Sequence, residues 1–341
     1  MPIPEGFQNY AAALGFPKSE TLGRIFELLY DEKDDAIVTG AMPGTVQEIT
    51  EKCELPETRV QEIIDKLFSR GAISRTLKRA DYFKLFPIMV ELRDSNVIYW
   101  KDAPDELFQL WEDLLNNEMA PLMEGMKEME IPAGMRVIPV EETIDEKNKI
   151  MDVDSVKKIF MDAEVVSAVP CPCRMLVEKT GGGKDCKAPA SAVCMQTNGF
   201  ARPILDRNAG EQLTNEEAVK RIEEAAQAGL VHVVRNNVKE DMFMCNCCSC
   251  CCVGFRFMDN YDLKGIYAPS RFKAVVDTDN CTACGTCEDM CKFNAITVDD
   301  EASINDENCY GCGLCVANCP DDAMSMEEVR PEEHVRSTYK D

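Results

Sequence analysis

Apolar positions between residues 45 and 86 change rhythm twice, and each change marks the end of an element. Thr45-Val46-Gln47-Glu48 has the form in which a hydroxyl and a carboxylate cap a helix start reciprocally, predicting a short helix through Lys52. Glu54-Leu55-Pro56 breaks that helix. Val60, Ile63, Ile64, Leu67 and Phe68 then recur at i, i+3, i+4, i+7 and i+8, the stripe of a helix buried along one face, and Gly71 stops it. Ala72-Ile73-Ser74-Arg75 through Tyr82-Phe83-Lys84-Leu85-Phe86 read as two strands. Further along, Pro104-Asp105-Glu106-Leu107 opens a helix with Leu107, Leu110, Trp111, Leu114 and Leu115 on one side. Met119, Met123, Met126 and Met129 continue it as adaptable core. Arg136 to Val140 reads as a short strand, bent or placed at an edge by Pro139. A second capping box, Thr214-Asn215-Glu216-Glu217, leads a helix with Val219, Ile222 and Ala226 inward, closed by Gly229. The charged, proline-interrupted residues after Met326 read as a frayed end.

The order helix, turn, helix, glycine, strand, wing over residues 20–90 resembles winged helix-turn-helix domains. Such domains often bind DNA, but here the second helix would present Glu57, Arg59, Glu62, Asp65 and Lys66, an acidic balance unsuited to a phosphate surface. Arg75, Lys78 and Arg79 form the basic cluster of the wing, which solvation explains. The expectation is a docking or dimerising module, with Cys53 as a buried thiol.

Composition narrows the chemistry. Nineteen cysteines in 341 residues are far above ordinary usage, and only two histidines are present, His232 and His334. The N-terminus Met1-Pro2-Ile3-Pro4-Glu5-Gly6 has no basic segment followed by an apolar one, and no apolar run approaches 18 residues. A cytoplasmic, soluble protein is expected, its thiols kept reduced and present for metal rather than disulfides. The formal charge of −24 disfavours nucleic acid and suits docking against basic patches on a redox partner. His232, in the apolar run Leu230-Val231-His232-Val233-Val234, reads as a packed residue rather than a ligand.

Cys281, Cys284, Cys287 and Cys291 read C-x-x-C-x-x-C-x-x-x-C, and Cys309, Cys312, Cys315 and Cys319 repeat that spacing. Zinc ribbons use paired C-x-x-C knuckles rather than this triplet-plus-one. Over residues 272–326 the sequence resembles the bacterial two-cluster ferredoxins, in which the fourth cysteine of each run serves the other cluster. The resemblance implies one [4Fe–4S] cluster on Cys281, Cys284, Cys287 and Cys319, and a second on Cys309, Cys312, Cys315 and Cys291. The family usually has proline after each fourth cysteine. Pro320 follows Cys319, but Lys292 follows Cys291.

Residues 151–260 hold ten more cysteines: Cys171, Cys173, Cys186 and Cys194, then Cys245, Cys247, Cys248, Cys250, Cys251 and Cys252. In extended chain, residues two apart share a face, so Cys171 and Cys173 would clasp one cluster. Likewise Cys245, Cys247 and Cys251 would lie on one side, with Cys248, Cys250 and Cys252 on the other. That holds only if the run is extended; a turn would break the parity. Arg174 either offsets cluster charge or is solvent-exposed. Gly181-Gly182-Gly183-Lys184 lacks phosphate-loop spacing and reads as a flexible turn. The P-C-x-C-R segment and C-N-C-C-x-C-C-C run resemble iron–sulfur proteins of anaerobes over residues 135–325, implying one or two further [4Fe–4S] clusters, with zinc as the alternative.

The fold class expected is α+β and multidomain. It comprises a winged-helix-like docking domain (1–95), a helical connector (96–150), a Cys-rich α/β domain (151–268), a ferredoxin-like domain (269–326) and a charged tail (327–341). No nucleotide or flavin fingerprint is present. The function expected is low-potential electron transfer through multiple [4Fe–4S] clusters, as a free-standing electron-transfer protein or as the electron-transfer subunit of an anaerobic oxidoreductase whose flavin- or metal-containing subunit is the redox partner; oligomers are compatible with this. A reductase with a substrate-binding middle cluster and a redox-responsive winged-helix regulator are the alternatives.

Overall fold

The computed structural model describes residues 2–76, 79–129, 131–144, 155–182, 186, 188, 193–237 and 242–336. Lys78, Gly183 and Lys184 lie outside them. The chain packs as two units. One comprises Met1–Met126 with Pro172–Lys184 and Pro203–Gly210; the other comprises Lys127–Cys171, Asp185–Arg202 and Glu211–Asp341. It is a mixture of helices and several sheets.

In the first unit the expected helices form at Val46–Cys53 and Glu57–Ser69, and both atoms of the Thr45/Glu48 capping box are engaged. Val60, Ile63, Ile64 and Leu67 are buried. Gly71 takes φ +66°, and a Cβ there would overlap the Ser95 carbonyl, so the helix must end at glycine. Asn96 Nδ2 donates to the Gly71 carbonyl at 2.8 Å. Strand β1 (Ser74–Thr76) pairs antiparallel with β2 (Arg79–Lys84), Ser74 opposite Lys84 and Arg75 opposite Phe83. Phe7, Tyr10, Phe26 and Tyr30 stack into an aromatic core ahead of these elements.

The helix Asp105–Asp113 runs into a π-turn at Leu114–Glu118 and a further helix at Ala120–Glu128. Leu107, Trp111, Leu114, Leu115, Met119 and Met123 are buried. The methionine face stops short of its expected length, because Met126 is half-buried and Met129 is 73% exposed. The π-turn rotates the stripe, so a strict 3.6-residue count overruns the core.

In the second unit, seven strands form one sheet among the described residues: β3 (Met135–Val137), β4 (Val166–Val169), β5 (Cys194–Thr197), β6 (Glu211–Leu213), β7 (Val231–Arg235), β8 (Phe243–Cys247) and β9 (Tyr267–Ala268). The order across the sheet is β6-β4-β5-β8-β7-β3-β9, antiparallel except for β3 beside β9. β3 is therefore internal rather than at an edge, and Pro139 sits just beyond its end, where its missing N–H breaks no ladder bond.

Alternation gives the sheet two chemically distinct faces. Val166, Ala168, Met195, Met244 and Val234 pack with Phe160, Ala218 and Ile222 from the helices Val156–Met161 and Asn215–Gln227. On that second helix Ala218 and Ile222 point inward while Val219 is only half-buried. The opposite face carries Val231, Val233, Cys245 and Cys247, packed with Phe255, Tyr267, Tyr310 and Leu314. Two smaller antiparallel pairs follow: β10 (Phe272–Val276) with β13 (Met324–Glu328), and β11 (Ile296–Val298) with β12 (Ala302–Ile304). The segment expected to fray is held. β13 extends through Glu328, Arg330 donates to the Ser270 carbonyl, His334 Nε2 lies 3.0 Å from the Pro269 oxygen, and Val335 is buried.

His232 is buried on β7, its Nδ1 2.6 Å from Asn246 Oδ1 on β8. Burial pushes it down from 6.5 to about 4, against the opposing effect of Asn246. The folded form therefore keeps the ring neutral where the unfolded chain binds a proton, so this contribution is present above pH 6.5 and declines as pH falls from there. Between pH 7.5 and 5.5 the loss amounts to about 1 kcal/mol. Denaturant titration under argon should show this decline in the native chain and a flatter profile in His232→Gln.

Candidate metal centres

The eight cysteines of the repeated motif gather crosswise in the second unit. Cys281, Cys284, Cys287 and Cys319 line one cavity, with Val298, Ala302, Ala323 and Met324 forming its apolar wall. Cys291, Cys309, Cys312 and Cys315 line another, walled by Ala274, Phe293, Ile296 and Tyr310. Each cavity thus takes three cysteines from its own loop and the fourth from the other motif. Two short helices, Thr286–Met290 and Leu314–Ala317, set this arrangement, each opened by a glycine in the left-handed region: Gly285 at φ +79° and Gly313 at +78°.

The donor set fits a cluster of iron and sulfide. Backbone N–H groups of Ala302, Ala295 and Ala274 donate to the sulfurs of Cys281, Cys291 and Cys309 at 3.4, 3.2 and 3.5 Å. Such bonds favour the thiolate over the thiol. Without a cation the balance at buried positions is reversed: burial pushes Cys312 up to about 12, and Cys315 and Cys287 are raised by burial too. Cys284 differs, being exposed and lowered by Thr286, whose hydroxyl is 3.4 Å away. The first cavity therefore meets solvent at Cys284, and among the ligands of the second Cys315 is buried while Cys291, Cys309 and Cys312 are half-buried.

In the comparisons with known proteins, the family model of the 4Fe-4S dicluster domain matches residues 280–323. The chain is an iron–sulfur protein. No curated protein and no solved structure matches it. Among the described residues no helix is long and apolar enough to cross a membrane.

The ten middle cysteines are arranged differently from the extended-chain expectation. Cys171 precedes the helix Pro172–Lys179 and Cys173 lies in its first turn, so the segment is not a strand and the proposed clasp loses its geometry. The division between units also falls between these two residues. In the first unit Cys173 Sγ accepts from Arg93 Nη2 at 3.3 Å. Arg93 is buried; burial alone would lower its pKa, but Asp94 and Cys173 hold it charged. Nothing in the sequence distinguished Arg93, whose signal is its burial. Arg174 is 4% exposed, which removes the solvent-exposed alternative for it.

In the second unit, Cys194 is the register partner of Cys245, and Cys247 lies two residues further along the same face. Gln196 Nε2 donates to Cys194 Sγ at 3.1 Å. Cys252 returns to this group, its sulfur 3.5 Å from that of Cys247 and 3.2 Å from the Tyr267 hydroxyl. Cys247 is held well above the ordinary thiol value by Cys245, Cys252 and burial. Strand alternation thus holds from Cys245 to Cys247 and fails after it, because residues 249–251 turn.

The turn makes a further group. The sulfurs of Cys186, Cys248, Cys250 and Cys251 all lie within 4.8 Å of one another. Burial, Cys186 and Cys248 push Cys250 up to about 12; Cys251 is raised further, chiefly by Cys248. A metal ion would reverse this preference and release the protons.

The glycines of the second loop are a test of these cradles. Gly311 has φ +64°, and a Cβ there would overlap the Phe272 carbonyl, whereas nothing lies within 4 Å of a Cβ at Gly265. Gly311→Ala should lose about four irons and four sulfides per chain by chemical analysis, with Gly265→Ala unchanged.

Proposed function

We propose that this is a low-potential electron-transfer protein, the electron-transfer subunit of an anaerobic oxidoreductase in the cytoplasm. Cys281, Cys284, Cys287 and Cys319 would hold one [4Fe–4S] cluster, and Cys291, Cys309, Cys312 and Cys315 the other. Bound there, such clusters supply reversible one-electron exchange, and all-cysteine ligation favours low potential. A further cluster in the middle region would draw its ligands from Cys171, Cys194, Cys245, Cys247 and Cys252. Arg93 and Arg174 would offset thiolate charge around Cys173.

The observation that carries this reading is a run of aromatic rings through the second unit. Tyr267, whose hydroxyl meets Cys252, packs at 5.8 Å on Phe255. Phe255 lies 5.0 Å from Phe293, and Phe293 stacks at 4.4 Å on Tyr310, which sits between Cys309 and Cys312 in sequence. The rings give a continuous run of side-chain contacts between the two cysteine groups, with Phe255 buried at its middle. Tyr310 is fixed by its bond to the Lys264 carbonyl at 2.6 Å. At the other end, exposed Cys284 offers a point of exchange with a partner.

The helix–turn–helix segment is read as a docking module for a flavin- or metal-containing partner. Its cations support that reading over DNA binding. Arg59 pairs with Glu32 and Asp34, Lys66 with Asp31, Glu32 and Asp35, and Arg70 with Asp31. These charges are spent internally rather than offered to phosphates. The net charge of −24 favours a partner with a basic face.

Anaerobically purified protein should contain about 12 irons and 12 sulfides, four of each in the middle region. Flash photoreduction should show electron exchange between the middle and C-terminal centres. Phe255→Leu, at a ring that lines neither cluster cavity, should slow that exchange several-fold with iron content intact; an unchanged rate would count against the aromatic path, and a protein without iron would defeat the function itself.

A further inference from the structure

The four thiols at the turn after β8 differ in scale from every other cysteine group in the molecule. Cys186 and Cys248 have their sulfurs 3.7 Å apart, as do Cys250 and Cys251, and all four fall within 4.8 Å of one another. Four sulfurs bonded to one ion at about 2.3 Å stand about 3.8 Å apart along the edges of a tetrahedron. A cube separates its thiolates more widely, since each bonds its own iron and bridging sulfides hold the irons apart.

The rest of the chain provides the comparison. The eight cysteines of the dicluster motif, which line two cavities in fours, form no set of three or more sulfurs within 4.8 Å. Neither do Cys194, Cys245, Cys247 and Cys252. Among the described residues, the group at the turn is unique in this respect. Nor is it a disulfide pair, since none of the four is disulfide-bonded and their spacing is far beyond a sulfur–sulfur bond.

Chain geometry explains the compact set. β8 ends at Cys247, residues 249–251 turn, and the helix Val253–Tyr261 follows. Three ligands therefore come from one turn of four residues, which has no room to spread them over separate irons. Cys186 supplies the fourth from a segment 62 residues earlier. Cys248 and Cys251 are buried while Cys250 is exposed, so the site would lie at the surface with two of its ligands anchored inside.

We propose that Cys186, Cys248, Cys250 and Cys251 bind a single tetrahedral thiophilic divalent ion, zinc or iron, rather than an iron–sulfur cube. Such an ion takes four thiolates, each giving up its proton on binding, and needs no inorganic sulfide. It ties Cys186 to the turn between β8 and the helix Val253–Tyr261. This goes beyond the relay reading and does not use the dicluster cavities, so either can fail alone.

The test compares the full-length chain, purified without oxygen, with a Cys248→Ser/Cys251→Ser double variant, measuring zinc, iron and acid-labile sulfide. The variant should lose about one metal ion per chain and no sulfide. Loss of about four irons together with four sulfides would place a cube there and overturn the proposal. No loss of metal would overturn it equally. Should the variant fail to fold, X-ray absorption of the native chain decides. A zinc edge with four sulfurs at about 2.3 Å and no metal neighbour supports the zinc form. A Mössbauer component of mononuclear high-spin ferrous tetrathiolate supports the iron form. Absence of both overturns the assignment, while dicluster iron in the same sample shows separately whether the relay centres are present.

Discussion

Thiolates brought close together repel, and the fold of this chain tolerates them only where positive charge can be placed among them. Eighteen of its nineteen cysteines fall in the segments from Cys171 onward, and the structure gathers them into groups whose spacing differs. Where burial and neighbouring sulfurs raise the thiols, as at Cys247, Cys251 and Cys312, ionisation and cation binding must come as one event. Backbone N–H groups and buried arginine assist but do not replace the cation. Local stability and cofactor content are therefore a single question in these regions.

The second unit divides its labour by sheet face. One face is aliphatic, closed by two helices through Phe160, Ala218 and Ile222, and supplies a rigid platform. The other carries cysteines into a layer of aromatic side chains that reaches the dicluster loops. Strand alternation produces both faces from the same residues, Met244 and Cys245 being neighbours that point opposite ways. Burying a neutral His232 on the aliphatic side is in keeping with that division, since a charged ring there would be costly.

Much of the local structure was legible in sequence because it depends on neighbours in the chain. The Thr45 and Thr214 capping boxes, the Val60–Leu67 stripe and the left-handed Gly71 are each decided within one or two turns. Where the reading overran, the cause was tertiary. A π-turn ended the methionine face before Met129, and β9 covered an edge that Pro139 had suggested for β3. The tail past Met326 looked solvated by composition, yet β13 and the Arg330 and His334 bonds hold it. Arg93 was invisible, since nothing along the chain reveals that a charged side chain is buried against a sulfur.

The repeated C-x-x-C-x-x-C-x-x-x-C spacing by itself was enough to mark residues 272–326 as resembling a two-cluster ferredoxin, and the 4Fe-4S dicluster family model matches residues 280–323, because the spacing of such ligands is a property of the local chain. For the middle cysteines the sequence supplied numbers but not geometry. A run of cysteines serves two opposite faces if extended and a single point if turned, and both backbones are open to Cys-Asn-Cys-Cys-Ser-Cys-Cys-Cys. Only the ladder of β8, ending at Cys247, and the turn after it decided which sulfurs meet. Direction along a strand is a local property, whereas the distance from Cys186 to Cys248 is set by how 62 residues fold between them.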